Sequence, residues 1–278
     1  MTQSPSDPSP LERWRRALAE WAIPDEILTQ APEPPWSFPT KVFSQRAERQ
    51  LAERSGTSLR RAAEALPEGG SVLDVGAGGG AASLPLLRPA RGPSGSIVAV
   101  DAEPRMLEDF LERAGRLGVA ARAVPGRWPD VAPEVPAADV VVCHHVLYNV
   151  PDLEPFVSAL TDRARRRIVV ELTERHPVSP LNPLWRRFWG LERPERPTAA
   201  DAVAALRSLG LDVTVETWNA PVDDGDPAEA AALARRRLCL PLDQEPDVAR
   251  ALEELRESGD AGWGQPRRLV TVWWAGAA

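Results

Sequence analysis

The stretch Ser71-Val-Leu-Asp-Val-Gly-Ala-Gly-Gly-Gly80 constrains this chain more than any other part of it. Val72, Leu73 and Val75 are the bulky apolar residues of a short strand covered on both faces, as in a parallel sheet. Glycines follow at once. Gly76, Gly78 and Gly80 open backbone conformations closed to other residues and let another molecule approach the main chain. A helix can start at Gly80-Ala-Ala-Ser-Leu84, turning its unsatisfied N–H groups toward that molecule. A second apolar run, Ile97-Val-Ala-Val-Asp101, ends about twenty residues on in a carboxylate placed to accept hydrogen bonds from both hydroxyls of a ribose. Strand, loop, helix and acid in this order indicate an adenosine-containing ligand.

Asp74 decides which one. A dinucleotide would bring a pyrophosphate, and a carboxylate two residues before the first glycine repels it. S-adenosylmethionine (SAM) has no phosphate; a nearby acid favours its sulfonium and ammonium. The pattern Asp74-Val-Gly76-Ala77-Gly78-Gly-Gly80 resembles the first motif of the class I SAM-dependent methyltransferases, an acid followed by Gly-x-Gly-x-Gly. Val98-Ala-Val-Asp101-Ala102-Glu-Pro-Arg-Met106 resembles the family's second motif. Ala138 to Asp152, containing Cys143-His144-His145 and Tyr148, resembles its fourth strand and following loop. Arg167-Ile-Val-Val-Glu171-Leu resembles the fifth strand.

The resemblance covers residues 57 to 218 and a final strand. It implies that Asp74, Gly76, Ala77, Gly78, Gly80 and Asp101 hold SAM, with Ala102 and Met106 flanking the adenine. At Pro125-Gly126-Arg127-Trp128 the chain departs from the family, whose members often carry Gly-Asp there. Without that acid, adenine recognition at this loop rests on backbone groups and on stacking by Arg127 or Trp128.

The order of patterns implies an α/β fold, a seven-stranded doubly wound, mostly parallel sheet of the Rossmann-like methyltransferase type. Strands are expected at 71–75, 96–100, 121–124, 139–143, 167–172, 212–218 and 268–274, the last antiparallel by family resemblance. Residues 1–10 are Ser/Pro-rich and expected to be disordered. Helical spacing at 11–21, 41–54 and 58–66 precedes the first strand, so residues 1–56 read as a disordered start with a helical cap and 57–278 as the SAM-binding domain. About fifty residues separate the last two strands, with helical spacing at 226–238 and 245–257. A parallel sixth strand sends this insertion, 221–262, out of the sheet's carboxyl edge, where ligands bind in open α/β sheets. Segment 173–197 leaves from the same edge. These segments and the cap around Trp36 to Arg46 are expected to form a lid over the substrate. Trp185, Phe188 and Trp189 fall on one helical face, which serves either lid packing or substrate contact.

At 278 residues and 43% hydrophobic content the chain can bury one large core with additions. The net charge of −7 speaks against a broad nucleic-acid surface. Two cysteines, Cys143 and Cys239, make neither a disulfide framework nor a zinc site, and point to the reducing cytoplasm. No run approaches the ~20 apolar residues of a membrane span, and no His/Asp/Glu cluster has metal spacing.

Methyl transfer needs acceptor and sulfonium held in line with water excluded, and a base where the acceptor is a hydroxyl. His144 and His145, after the fourth strand, lie where the methyl group should point, with Tyr148 a turn later to orient an acceptor. The reading is a SAM-dependent methyltransferase acting on a small molecule, as monomer or homodimer, with His144, His145 and Tyr148 as its candidate catalytic residues. An RNA or protein methyltransferase would show a basic, open rim. A SAM-binding regulatory protein would give the sulfonium methyl no route to solvent.

Overall fold

The computed structural model describes residues 7–36, 40–87, 95–221, 225–259 and 266–277. Seven strands form one sheet: β1 (Ser71–Val75), β2 (Ser96–Asp101), β3 (Ala120–Pro125), β4 (Ala138–His144), β5 (Ala164–Thr173), β6 (Thr214–Asn219) and β7 (Arg268–Ala275). Their order is β3-β2-β1-β4-β5-β7-β6, with β7 antiparallel to β5 and β6 and all other pairings parallel. The order reverses between β1 and β4. In an open α/β sheet the crevice for a ligand opens at that switch point, beyond the strands' carboxyl ends.

Alternate side chains of the strands bury two faces. On one, Leu73, Val141, Ile168, Val170 and Val272 pack with residues of α1 (Pro10–Ala19), α6 (Leu153–Asp162) and α8 (Ala199–Ser208), including Trp14, Leu160 and Leu206. On the other, Val72, Val140, Val142 and Val169 meet Ala62 of α4 (Thr57–Ala65) and Leu107 and Phe110 of α5 (Pro104–Arg116). Both faces must be covered, which explains the nearly continuous apolar runs in the central strands.

Two local expectations need correction. Helix α1 begins at Pro10, inside the stretch read as disordered. Ser9 and Glu12 form a reciprocal capping box, and the Trp14 indole, fully buried, donates to the Val150 carbonyl at 2.8 Å. Residues 1–6 lie outside the described residues. No α-helix starts at Gly80: residues 79–83 make turns, followed by a short 3-10 helix at Leu84–Leu86. Pro85 accounts for this, since it has no N–H for an i to i−4 bond and its ring crowds the carbonyl four residues back.

The carboxyl edge carries the added elements. β6 runs parallel to β1, so the insertion before β7 does leave from this edge, as α9 (Pro227–Arg237) and α10 (Glu245–Ser258). Leu181, Leu184 and Trp185, in or beside α7 (Asn182–Trp189), pack with Ala234, Leu238, Val248 and Leu252 of this insertion. Ile27 of α2 (Asp25–Leu28) joins the same cluster. The aromatic stripe is spent on this packing: Trp185 is buried, and the Trp189 indole donates to the Leu238 carbonyl at 2.7 Å. The cap helix α3 (Thr40–Glu53) lies at the same edge, with residues 37–39 outside the described residues. Among the described residues no helix is long and apolar enough to cross a membrane.

Candidate active site

The glycine loop folds back over the end of β2. The amides of Gly76 and Ala77 both donate to the Val100 carbonyl, at 2.8 and 3.0 Å. Gly76 has φ +72°, and a Cβ on it would lie 2.4 Å from Val146 Cγ2, so glycine here admits the loop after β4. At Gly80 the space is filled by Leu84 and Phe110. The Gly78 amide donates to one Asp101 carboxylate oxygen at 2.8 Å, and the Glu103 amide to the other at 2.9 Å. Each oxygen keeps a further lone pair for a ligand.

Asp74 is fully buried beneath this loop. Ser83 donates to its Oδ2 at 2.6 Å, while Oδ1 is buried and has no hydrogen-bond partner among the described residues. Burial raises the carboxyl to about 7, Asp101 adds to the rise, and the Ser83 bond opposes it. A buried acceptor without a donor, at a loop with open acceptor capacity on Asp101, fits a cationic ligand that carries a ribose.

Of the other residues expected around the adenine, Ala102 and Arg127 are exposed and Met106 is buried. The Gly126 amide donates to the Asp101 carbonyl at 2.9 Å, which brings this loop beside the acid. Trp128 is half-buried and packs toward the core, its indole donating to the Phe156 carbonyl at 3.1 Å.

His144 ends β4 and His145 follows it, beside the Gly76–Val146 contact. In the parallel register His144 faces Glu171 of β5. His145 Nε2 lies 2.8 Å from Glu171 Oε1, and His144 Nδ1 lies 4.0 Å from the same oxygen. His145 sits at φ +60°, a strained conformation for a side chain of this kind, held by its amide's bond to the Glu171 carbonyl at 2.8 Å. Arg46 of α3 closes on the pair, its Nη2 touching His145 Nε2 and standing 3.7 Å from the Glu171 carboxylate. The cap therefore covers the histidines, whose side chains are only 15% and 16% exposed.

Burial alone would push Glu171 up, but the two histidines and Arg46 outweigh it and hold the carboxyl below its usual range. It is ionised. Burial lowers His145 to about 4, with Arg46 adding to the effect and the Glu171 bond opposing it, and burial also lowers His144. Both rings are neutral near pH 7. His145 Nε2 faces both the Glu171 carboxylate and the donor-only Arg46 guanidinium, and an Nε2–H bond to Glu171 leaves the Nδ1 lone pair free; the buried His144 Nε2 has no partner among the described residues.

Tyr148 stands apart from this group. It is buried against Trp14, with ring centroids 5.7 Å apart, and its hydroxyl donates to the Thr173 carbonyl at 2.8 Å. Burial also raises the pKa of its hydroxyl above the usual range, which keeps it neutral. Sequence reading missed Glu171, Arg46 and Ser83. Glu171 had a visible signal: like Asp74, it is an acid set into an otherwise apolar strand. Arg46 had none, since its partners are 99 and 125 positions away in the chain. Among the described residues no group of three or more His, Cys, Asp or Glu could hold a metal ion.

The sheet order, the glycine loop at the switch point and the second-strand acid define a Rossmann-like methyltransferase fold. Residues 72–166 match the family model described as a methyltransferase domain. That stretch of the chain carries a methyltransferase domain. Among solved structures, a cyclopropane-fatty-acyl-phospholipid synthase-like protein from Lactobacillus casei is similar at 17% identity. That alignment covers 90% of this chain and 98% of that one, with a TM-score of 0.54. The YcgJ protein from Bacillus subtilis is similar at 20% identity over 83% of this chain and 99% of that one, with a TM-score of 0.52. Comparison with curated proteins returns no match.

Proposed function

We propose that the chain methylates an ionisable hydroxyl of a small organic acceptor enclosed beneath α3, with His145 taking the proton. The observation that carries this reading is the His145–Glu171 contact of 2.8 Å at the sheet's carboxyl edge, next to the glycine loop. Asp74 and Asp101 would hold SAM, the first toward its cationic end and the second at the ribose, with the Gly76–Gly80 backbone close to the ligand. When bound, SAM supplies an electrophilic methyl group.

Glu171 fixes the His145 tautomer and orientation by accepting from Nε2, so Nδ1 presents a lone pair to the acceptor hydroxyl. Its carboxylate offsets the positive charge that His145 gains on taking the proton, and His144 offers a second buried acceptor nitrogen beside it. Arg46 and α3 exclude water from the pair, which strengthens each of these interactions. The enclosure favours a small acceptor over RNA or protein. Both cysteines are free and buried, in keeping with a reducing cytoplasm.

The test is transfer of labelled methyl from SAM to a panel of phenols, enols, amines and carboxylic acids, by wild type and by His145→Asn and Glu171→Gln. The expected result is activity on hydroxyl acceptors, falling by ~10²–10⁴ in both variants. Turnover of amines alone, or full activity without His145, would refute the assignment.

A further inference from the structure

A buried arginine connects the cap to the glycine loop. Arg113 lies on α5, seven residues after Met106 and three after Phe110, on the face that packs into the core. It is 5% exposed. Its Nη1 donates to the Gly79 carbonyl at 2.8 Å and to the Asp109 carbonyl at 3.3 Å. Its Nε donates to Glu48 of α3 at 2.9 Å, and Arg116 bonds the same Glu48 oxygen at 2.5 Å. One turn earlier on each helix, the Ser44 hydroxyl donates to Asp109 at 2.8 Å.

Gly79 is thus gripped through its carbonyl, and the neighbouring Gly78 through its amide by Asp101. The guanidinium cannot lose its charge, and two backbone carbonyls do not neutralise it. The countercharge comes from Glu48, whose carboxyl is held below its usual range by the bonds from Arg113 and then Arg116. With α3 displaced that charge would leave with it, and the buried guanidinium would keep the Gly79 and Asp109 carbonyls without a countercharge, which weakens its hold on the loop.

On the reading that the Gly76–Gly80 loop holds SAM, we infer that Arg113 is a positioning residue that couples seating of the cap helix α3 to organisation of the cofactor loop, through Glu48 on one side and the Gly79 carbonyl on the other. Cofactor binding and cap seating then favour each other by the same factor, because coupling between two sites is reciprocal. The cap is held shut by the cofactor as well as by the acceptor beneath it.

The test uses the full chain, with S-adenosylhomocysteine as the probe, in wild type, Glu48→Gln, Arg113→Met, Arg113→Lys and the Glu48→Gln/Arg113→Met double variant. Calorimetry gives affinity, and amide hydrogen exchange gives protection of residues 40–53 and 76–80. The Glu48 side chain is half exposed, so Glu48→Gln keeps the fold if Arg113→Met does not. The relay predicts roughly tenfold weaker binding in Glu48→Gln and Arg113→Met, with Arg113→Lys restoring part of the loss. It also predicts no further loss in the double variant, and ligand-induced protection of 40–53 in the wild type only. Wild-type affinity and α3 protection in Glu48→Gln, or additive losses in the double variant, would overturn the relay alone. A wild type that does not protect 76–80 on binding would overturn the reading of the loop, and the relay with it.

Discussion

Replacing Asp74 with Asn should stabilise the free protein at mildly alkaline pH while weakening its hold on the cofactor. The carboxyl rises from an ordinary 3.8 to about 7 because it is fully buried, with Ser83 as its one donor among the described residues. The folded pKa lies above the unfolded one. The native state therefore keeps a proton that the unfolded chain releases, and stability falls as pH climbs from about 4 to about 7. Above that window the full cost remains, up to ~4 kcal/mol at ~1.4 kcal/mol per pH unit. Asn cannot ionise, but its amide places a donor where Oδ1 now lacks a partner, which costs about 1–3 kcal/mol. The expected net gain for the free variant is about 1–3 kcal/mol at about pH 8, with the pH slope between about 4 and about 7 flattened. Urea titrations at several pH values, with and without S-adenosylhomocysteine, measure both effects. With the ligand the order should reverse, because its ammonium loses its carboxylate and affinity drops at least about tenfold, or ~1.4 kcal/mol. An Asn variant with the wild-type slope, or with wild-type affinity, would refute the assignment of Asp74.

Three further outcomes follow from the geometry. Gly76→Ala brings a Cβ to 2.4 Å from Val146 Cγ2 at φ +72° and should cost roughly 2–4 kcal/mol in chemical denaturation, partly recovered by adding Val146→Ala. With an acceptor in hand, the acidic limb of kcat/KM should fall near pH 4, where His145 titrates, and move lower still in Glu171→Gln, which removes the group opposing the fall; a limb near 6.5 would mean the ring is not buried. Trp14→Phe leaves the Val150 carbonyl without its 2.8 Å donor and empties part of a fully buried site, so it should lower stability by about 1–3 kcal/mol in thermal or chemical unfolding.

Most of the sheet could be read from the chain because a strand covered on both faces writes itself as a short apolar run. The seven runs from Ser71 to Ala275 are separated by segments with a different period. The glycine loop and Asp101 were legible for the same reason, being short-range motifs that one strand and one turn create. Two failures came from weighing local signals too lightly. Pro85 forbids the helix after Gly80, and the Ser9–Glu12 capping box starts a helix in a stretch whose composition reads as disordered. The groups that sequence reading missed are brought together by folding over distance. Glu171 meets His144 only through strand register, and Arg46 meets Glu171 only once α3 is seated. Tyr148 shows the converse: the sequence places it after β4, and folding buries it against Trp14 with its hydroxyl bonded to the Thr173 carbonyl.

The most direct test of the whole account is a crystal structure of the wild-type protein with S-adenosylhomocysteine. The account predicts the ribose hydroxyls on Asp101, the amino end toward Asp74, and the sulfur facing the His145–Glu171 pair beneath α3. A ligand bound elsewhere, or seated in the loop with its sulfur turned away from His145, would contradict it.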